Sequence, residues 1–192
     1  LAKELESVVK RVIVTTTTHM LRPKNEWELL HTVGVPCEEE PEKIRGLSEE
    51  EYRKLKTQCD VLLVEADGAK RKPLKVPAEH EPVIPEDTDM VIGIAGASAI
   101  GRTIKAGCHR GELVGELLGK KLSEILTEED VMTILKSKAG QKKHVKQKYR
   151  MVIGQADLLT QEQVEKFKKE QGICLYSRKG GADTNGENIG IS

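Results

Sequence analysis

Short apolar runs bounded by polar clusters recur along the chain, and their spacing predicts strands alternating with helices. Residues 10–15 (KRVIVT) are rich in β-branched side chains and read as a strand. Residues 61–64 (VLLV) and 89–95 (DMVIGIA) are apolar without alternation, the pattern of strands covered on both faces in a parallel sheet. Residues 149–153 and 173–176 complete the set. Helix-start signals lie between them. Ser48 with Glu51 forms a capping box for a helix to about Gln58, so a helix feeds directly into the 61–64 strand as in a parallel crossover unit. Residues 109–118 read as a helix, residues 127–130 (TEED) cap another to about Lys136, and Thr160 with Gln163 opens one that Gly172 stops. A short amphipathic segment surrounds Trp27, which reads as a packing anchor. The predicted fold is α/β: a mostly parallel sheet with flanking helices, one domain over residues 1–178, then a mobile polar tail at 179–192.

The stretch that organises this pattern is residues 59–85. Its apolar run ends in Glu65-Ala66-Asp67-Gly68, and a lysine-rich loop broken by Pro73, Pro77, Pro82 and Pro85 follows. Those prolines exclude a helix, and a long connection without regular structure is usually functional or disordered. Acids at the C-terminal end of a buried parallel strand lie where open α/β sheets bind ligands, and where nucleotide-hydrolysing proteins hold Mg²⁺. Glu65 and Asp67 are therefore the candidate catalytic and metal-holding residues. At the end of the 10–15 strand, Thr15, Thr16, Thr17 and Thr18 place hydroxyls that suit phosphate or metal-bound water; they are equally what a strand continuing with β-favouring residues would contain.

Composition narrows the partners. The 192 residues carry 31 basic and 31 acidic side chains, so no global charge favours nucleic acid. With one Trp, one Phe and three Tyr the core must be aliphatic. No apolar run is long enough to span a bilayer and no signal-peptide pattern is present, so a cytoplasmic protein is expected. The four cysteines are scattered and read as reduced structural thiols. Residues 1–7 (LAKELES) look like the end of a helix, without an initiator Met or an N-cap, and the expectation is that its beginning lies upstream.

Other motifs carry weaker chemistry. Gly96 opens residues 96–103 (GASAIGRT), which approach a phosphate loop, but Arg102 replaces the lysine and Gly107 interrupts the helix that should follow; a glycine-rich strand-to-helix turn is the simpler reading. Glu79, His80 and Glu81 in a row invite a metal, yet adjacent side chains of an extended loop diverge, so His80 reads as an orienting hydrogen-bond partner beside Glu81. The basic run from Lys136 to Arg150 reads as solvated lysines, with Tyr149 the one aromatic available for base stacking. Cys108 beside His109 reads as a buried thiol.

Residues 15–20 (TTTTHM), 61–85 (VLLVEADGAKRKPLKVPAEHEPVIP) and 90–96 (MVIGIAG) together resemble selenium-dependent hydroxylase accessory proteins of the YqeC type, over nearly the whole chain. The resemblance implies a P-loop NTPase-like three-layer fold whose phosphate loop and first strand precede Leu1, and a role in maturing selenium-dependent molybdenum hydroxylases. It implies ATP or GTP bound with Mg²⁺: Glu65 or Asp67 with Thr16 or Thr17 around the metal, Lys70, Arg71 and Lys75 against phosphate, Gly68 in the turn. Gly154-Gln155-Ala156-Asp157 stands where GTPases read guanine, with Asp157 alone kept from that pattern. The expected partners are a nucleotide and a hydroxylase or selenium carrier protein, with no nucleic acid or membrane. The alternative is a non-catalytic scaffold that binds the same partners.

Overall fold

The apolar runs become two parallel sheets. The computed structural model describes residues 11–22 and 30–177. The helical remnant at 1–7, the packing role of Trp27 and the tail at 179–192 lie outside the described residues. The chain falls into two compact units. The first is Leu1–Gly68 with His80–Ile84, and the second is Ala69–Glu79 with Pro85–Ser192.

In the first unit, β1 (Val12–Thr16) lies between β3 (Leu30–Thr32) and β6 (Val61–Glu65), all parallel. Helix α1 (Glu49–Lys56) leads into β6, and its Ser48–Glu51 capping box is formed as expected. The parallel pairing of β1 and β6 follows from that helical crossover. β6 differs from expectation in one respect. It is the outer strand of its sheet, and each of its five residues keeps part of its surface. Val61 N–H and Glu65 C=O bond toward β1, so the peptide groups of Leu62 and Val64, out of phase with these, point away from it. A second, antiparallel sheet orders β2 (His19–Leu21), β5 (Lys43–Arg45) and β4 (Val35–Pro36), with β5 central. The threonine run continues β1 only as far as Thr16: the chain bends at Thr17 and Thr18 and enters β2. Val12, Ile13, Met20, Ile44 and Leu55 form the buried apolar set of this unit.

In the second unit, β10 (Lys148–Gly154) lies between β8 (Met90–Gly96) and β11 (Ile173–Tyr176), again all parallel. Helices α2 (Ile104–Gly107), α3 (Gly111–Leu118) and α4 (Glu128–Lys136) follow β8, and α5 (Gln161–Lys168) joins β10 to β11. Thr127 and Thr160 cap α4 and α5 with complete capping boxes. The proline loop contains β7 (Leu74–Lys75), which pairs with β9 (Cys108–His109), so Cys108 and His109 are extended and the helix begins at Gly111. Two-residue strands have no periodicity for a sequence to display. The core gathers Leu74, Ile104, Val114, Ile134, Ile153 and Phe167. Gly93 is dictated by packing, since a β-carbon there would sit 2.0 Å from the Tyr149 hydroxyl, which donates to Leu135 O at 2.8 Å. Burial pushes that phenol up to about 12. Tyr149 is thus a partly buried residue packed against the core, with its hydroxyl spent on Leu135.

Candidate functional site

The site begins with register. Thr16 of β1 lies beside Glu65 of β6, so both face one side of the sheet at its C-terminal edge, while Thr15, paired with Val64, faces the other. The Thr16 hydroxyl donates to Glu65 O at 2.9 Å and accepts from Thr18 N–H at 2.9 Å. Thr17 N–H donates to the same Glu65 carbonyl at 3.1 Å. Thr16 is 1% exposed, so its hydroxyl ties the two strand ends together and does not open toward a ligand. Thr15 is equally buried, and its hydroxyl has no partner among the described residues. Gly46 presses on the same tip: a β-carbon there would fall 2.8 Å from Thr16 O.

These two neighbours give a paired prediction. Thr16→Val breaks bonds that a buried backbone carbonyl and N–H rely on and costs about 1–2 kcal/mol, whereas Thr15→Val removes an unpaired hydroxyl and is neutral or slightly stabilising. Urea denaturation should show a loss in Thr16→Val and none in Thr15→Val, and equal losses would contradict the assigned register.

Beyond the tip, residues 66–68 are half-buried. The Glu65 carboxylate leans over Gly68, where an added β-carbon would meet Oε1 at 3.2 Å, so a glycine there keeps the acid's position open. The far end of the proline loop docks here as well. Thr17 Oγ1 donates to Val83 O at 2.7 Å, and Val83 N–H donates to Ala66 O at 3.2 Å. Glu81 is largely buried, its side chain 14% exposed, while His80 beside it is 79% exposed, with Nε2 4.0 Å from Glu81 Oε1. His80 is therefore an exposed ring beside a largely buried acid.

The other expected site residues belong to the second unit. Lys70 and Arg71 are exposed, and both adopt positive φ, 46° and 61°. Lys75 is 3% exposed within β7, which removes it from the surface that could meet a free phosphate. Gly96 ends β8; its N–H donates to Pro73 O at 2.7 Å, and a β-carbon would meet Gln155 Oε1 at 2.7 Å and Pro73 Cβ at 2.9 Å. Gln155, at φ 60°, accepts from Ser98 Oγ at 2.7 Å, and Asp157 follows it, exposed, in a short 3-10 turn. Residues 97–99 form a 3-10 turn and Thr103 caps the four-residue α2, the arrangement of a strand-to-helix turn, whereas a phosphate loop leads into a long helix. Burial pushes the Cys108 thiol up to about 11, against the pull of Lys72, so it is a poor nucleophile.

Glu65 ends β6, Asp67 lies two residues beyond it and Thr17 directly follows β1, and Mg²⁺ ordinarily takes one or two carboxylates, completing its shell with water and phosphate oxygens. Two carboxylates and a hydroxyl are oxygen donors of the type the ion takes. Among the described residues no three His, Cys, Asp or Glu side chains could form a protein-only cage. No helix among them is long and apolar enough to cross a membrane.

Fold and site define an α/β protein of parallel sheets with an acid–threonine edge at the strand tips. Residues 1–112 match the model of the YqeC protein family. The chain is 30% identical over 172 residues to the uncharacterized protein YqeC of Escherichia coli (strain K12), an alignment covering 79% of this chain and 67% of that protein. The chain belongs to the YqeC family. No solved structure matches it.

Proposed function

We propose that this protein binds a nucleoside triphosphate together with Mg²⁺ at the tips of β1 and β6, and that it serves as an accessory protein in maturing selenium-dependent molybdenum hydroxylases. The observation that carries the nucleotide reading is the pairing of Thr16 with Glu65, which puts a carboxylate and a hydroxyl-bearing turn on one edge at the C-terminal ends of parallel strands. Glu65 is the ligand to the metal, directly or through water, and Asp67 is the second acid in reach of the same turn. Thr17, whose hydroxyl oxygen keeps lone pairs while donating to Val83 O, is the threonine left to accept from metal-bound water. Mg²⁺ would supply charge neutralisation for the phosphate oxygens. The hydroxylase role rests on the motif resemblance within the family. A P-loop NTPase-like arrangement and a timed nucleotide switch are part of the same proposal.

One observation favours the scaffold alternative: the Thr16 hydroxyl is consumed inside the sheet edge. Calorimetric titration of ATP and GTP into the full-length protein, with and without Mg²⁺, tests between them. The expected result is binding that requires Mg²⁺. No binding of either nucleotide with Mg²⁺ present would overturn the nucleotide reading, and the scaffold reading then expects a hydroxylase or selenium carrier to bind without nucleotide.

A further inference from the structure

The basic run after α4 was expected to be solvated, and part of it is not. Gly140 makes the difference. A β-carbon there would lie 2.2 Å from Ile134 O, so only glycine lets the chain fold back onto the end of α4. Gln141 N–H then donates to Ile134 O at 2.8 Å and Lys142 N–H to Ser137 O at 3.1 Å, which fixes the turn on a carbonyl the helix would otherwise leave unpaired.

From that base, side chains reach the proline loop and the strand next to it. Lys143 Nζ donates to Ala78 O at 3.1 Å. His144 Nε2 lies 2.9 Å from Glu79 O, and because a carbonyl only accepts, this nitrogen carries the proton. The Gln141 amide pairs with the peptide of Ile94 as a strand would, accepting from its N–H and donating to its C=O, each at 3.1 Å, and its Nε2 lies 3.5 Å from Lys75 O. His144 holds this position at φ 58°. Lys142 meanwhile lies 5.7 Å from the centre of the Tyr149 ring, a cation–π distance.

We infer that the 140–144 turn is a latch that holds the proline loop closed from Lys75 to Glu79. Gln141, Lys143 and His144 are positioning residues in it. Glu79 is the last residue before the chain passes to residues 80–84, which carry Glu81 and Val83. Backbone carbonyls as the acceptors suit a latch, because carbonyls survive any change of loop side chain and leave the loop's own charges uninvolved. The inference does not depend on the nucleotide reading.

Hydrogen–deuterium exchange of the full-length protein tests it. The Gln141→Ala/Lys143→Ala/His144→Ala variant is expected to exchange residues 74–79 at least about tenfold faster than wild type, with residues 148–154 of β10 unchanged. The conservative variant Lys143→Arg/His144→Gln, which keeps a donor at each place, is expected to behave as wild type. Unchanged exchange at 74–79 in the alanine variant would overturn the latch. So would equal acceleration in β10, which marks general loosening, or a conservative variant that opens as fast as the alanine one.

Discussion

Glu65→Gln is expected to lower Mg²⁺-dependent nucleotide affinity about 100-fold, some 2.7 kcal/mol, while leaving the fold intact. Its backbone carbonyl receives Thr17 N–H and the Thr16 hydroxyl, and glutamine retains that carbonyl and the side-chain shape. What the substitution removes is one negative charge at a site where hydrogen bonds and ligand bonds to charged groups are worth roughly 1.5–3 kcal/mol each. Asp67→Asn should cost less, because Asp67 stands beyond the strand tip in the turn. Titration of both variants beside wild type, with thermal unfolding as the control on folding, reads the difference. Wild-type affinity in Glu65→Gln would remove the residue on which the proposed metal site depends.

Asp130→Ala is expected to cost about 2–4 kcal/mol at neutral pH, slightly under the usual penalty for breaking a fully buried ion pair. Its carboxylate is held by Lys120 Nζ, by Thr127 N–H at 2.8 Å and by the Thr127 hydroxyl at 3.1 Å, with the two charged side chains only 24% and 11% exposed. Burial pushes the Asp130 carboxyl up, but the bonds from Lys120 and Thr127 outweigh it and leave the group below its ordinary value. A depressed carboxylate stabilises the folded state fully above its unfolded pKa, about 3.9, and that contribution fades as pH falls through the lower folded value. The gap between wild type and Asp130→Ala should therefore be widest at neutral pH and narrow below about pH 4. Urea denaturation at pH 7 and near pH 3 measures it, and a gap of equal size at both would contradict the assignment. The same substitution leaves Lys120 Nζ with Ile125 O, 3.3 Å away, as its remaining hydrogen-bond acceptor.

Local signals were legible in the sequence because their physics is local. Ser48, Thr127 and Thr160 each close a capping box three residues on, and all three helices start where those residues stand. The strand at residues 173–176 matched residue for residue, and the others agreed to within a residue or two. Elements that exist only through distant partners were not legible. β2, β4 and β5 are two or three residues long, as are β7 and β9, and nothing in residues 38–40 announces a turn between paired strands. Gln141 looks like one more polar residue in a lysine run. Its role depends on Ile94, 47 residues away, and on a glycine whose need arises from the end of α4.

The candidate site divides along the same line. Residue type and order alone determined that an apolar strand ends in Glu65 and Asp67, that Gly68 follows, and that prolines hold the next segment out of helix. Four successive threonines, by contrast, are chemically identical and carry no local mark of register. Only the pairing of Thr16 with Glu65 decided that Thr16 locks the strand ends, that Thr15 is sealed in the core, and that Thr17 meets Val83. A slip of one residue would exchange Thr15 and Thr16 between the two faces, because side chains alternate along a strand. That choice is made by packing across the sheet, which the chain acquires only when it folds.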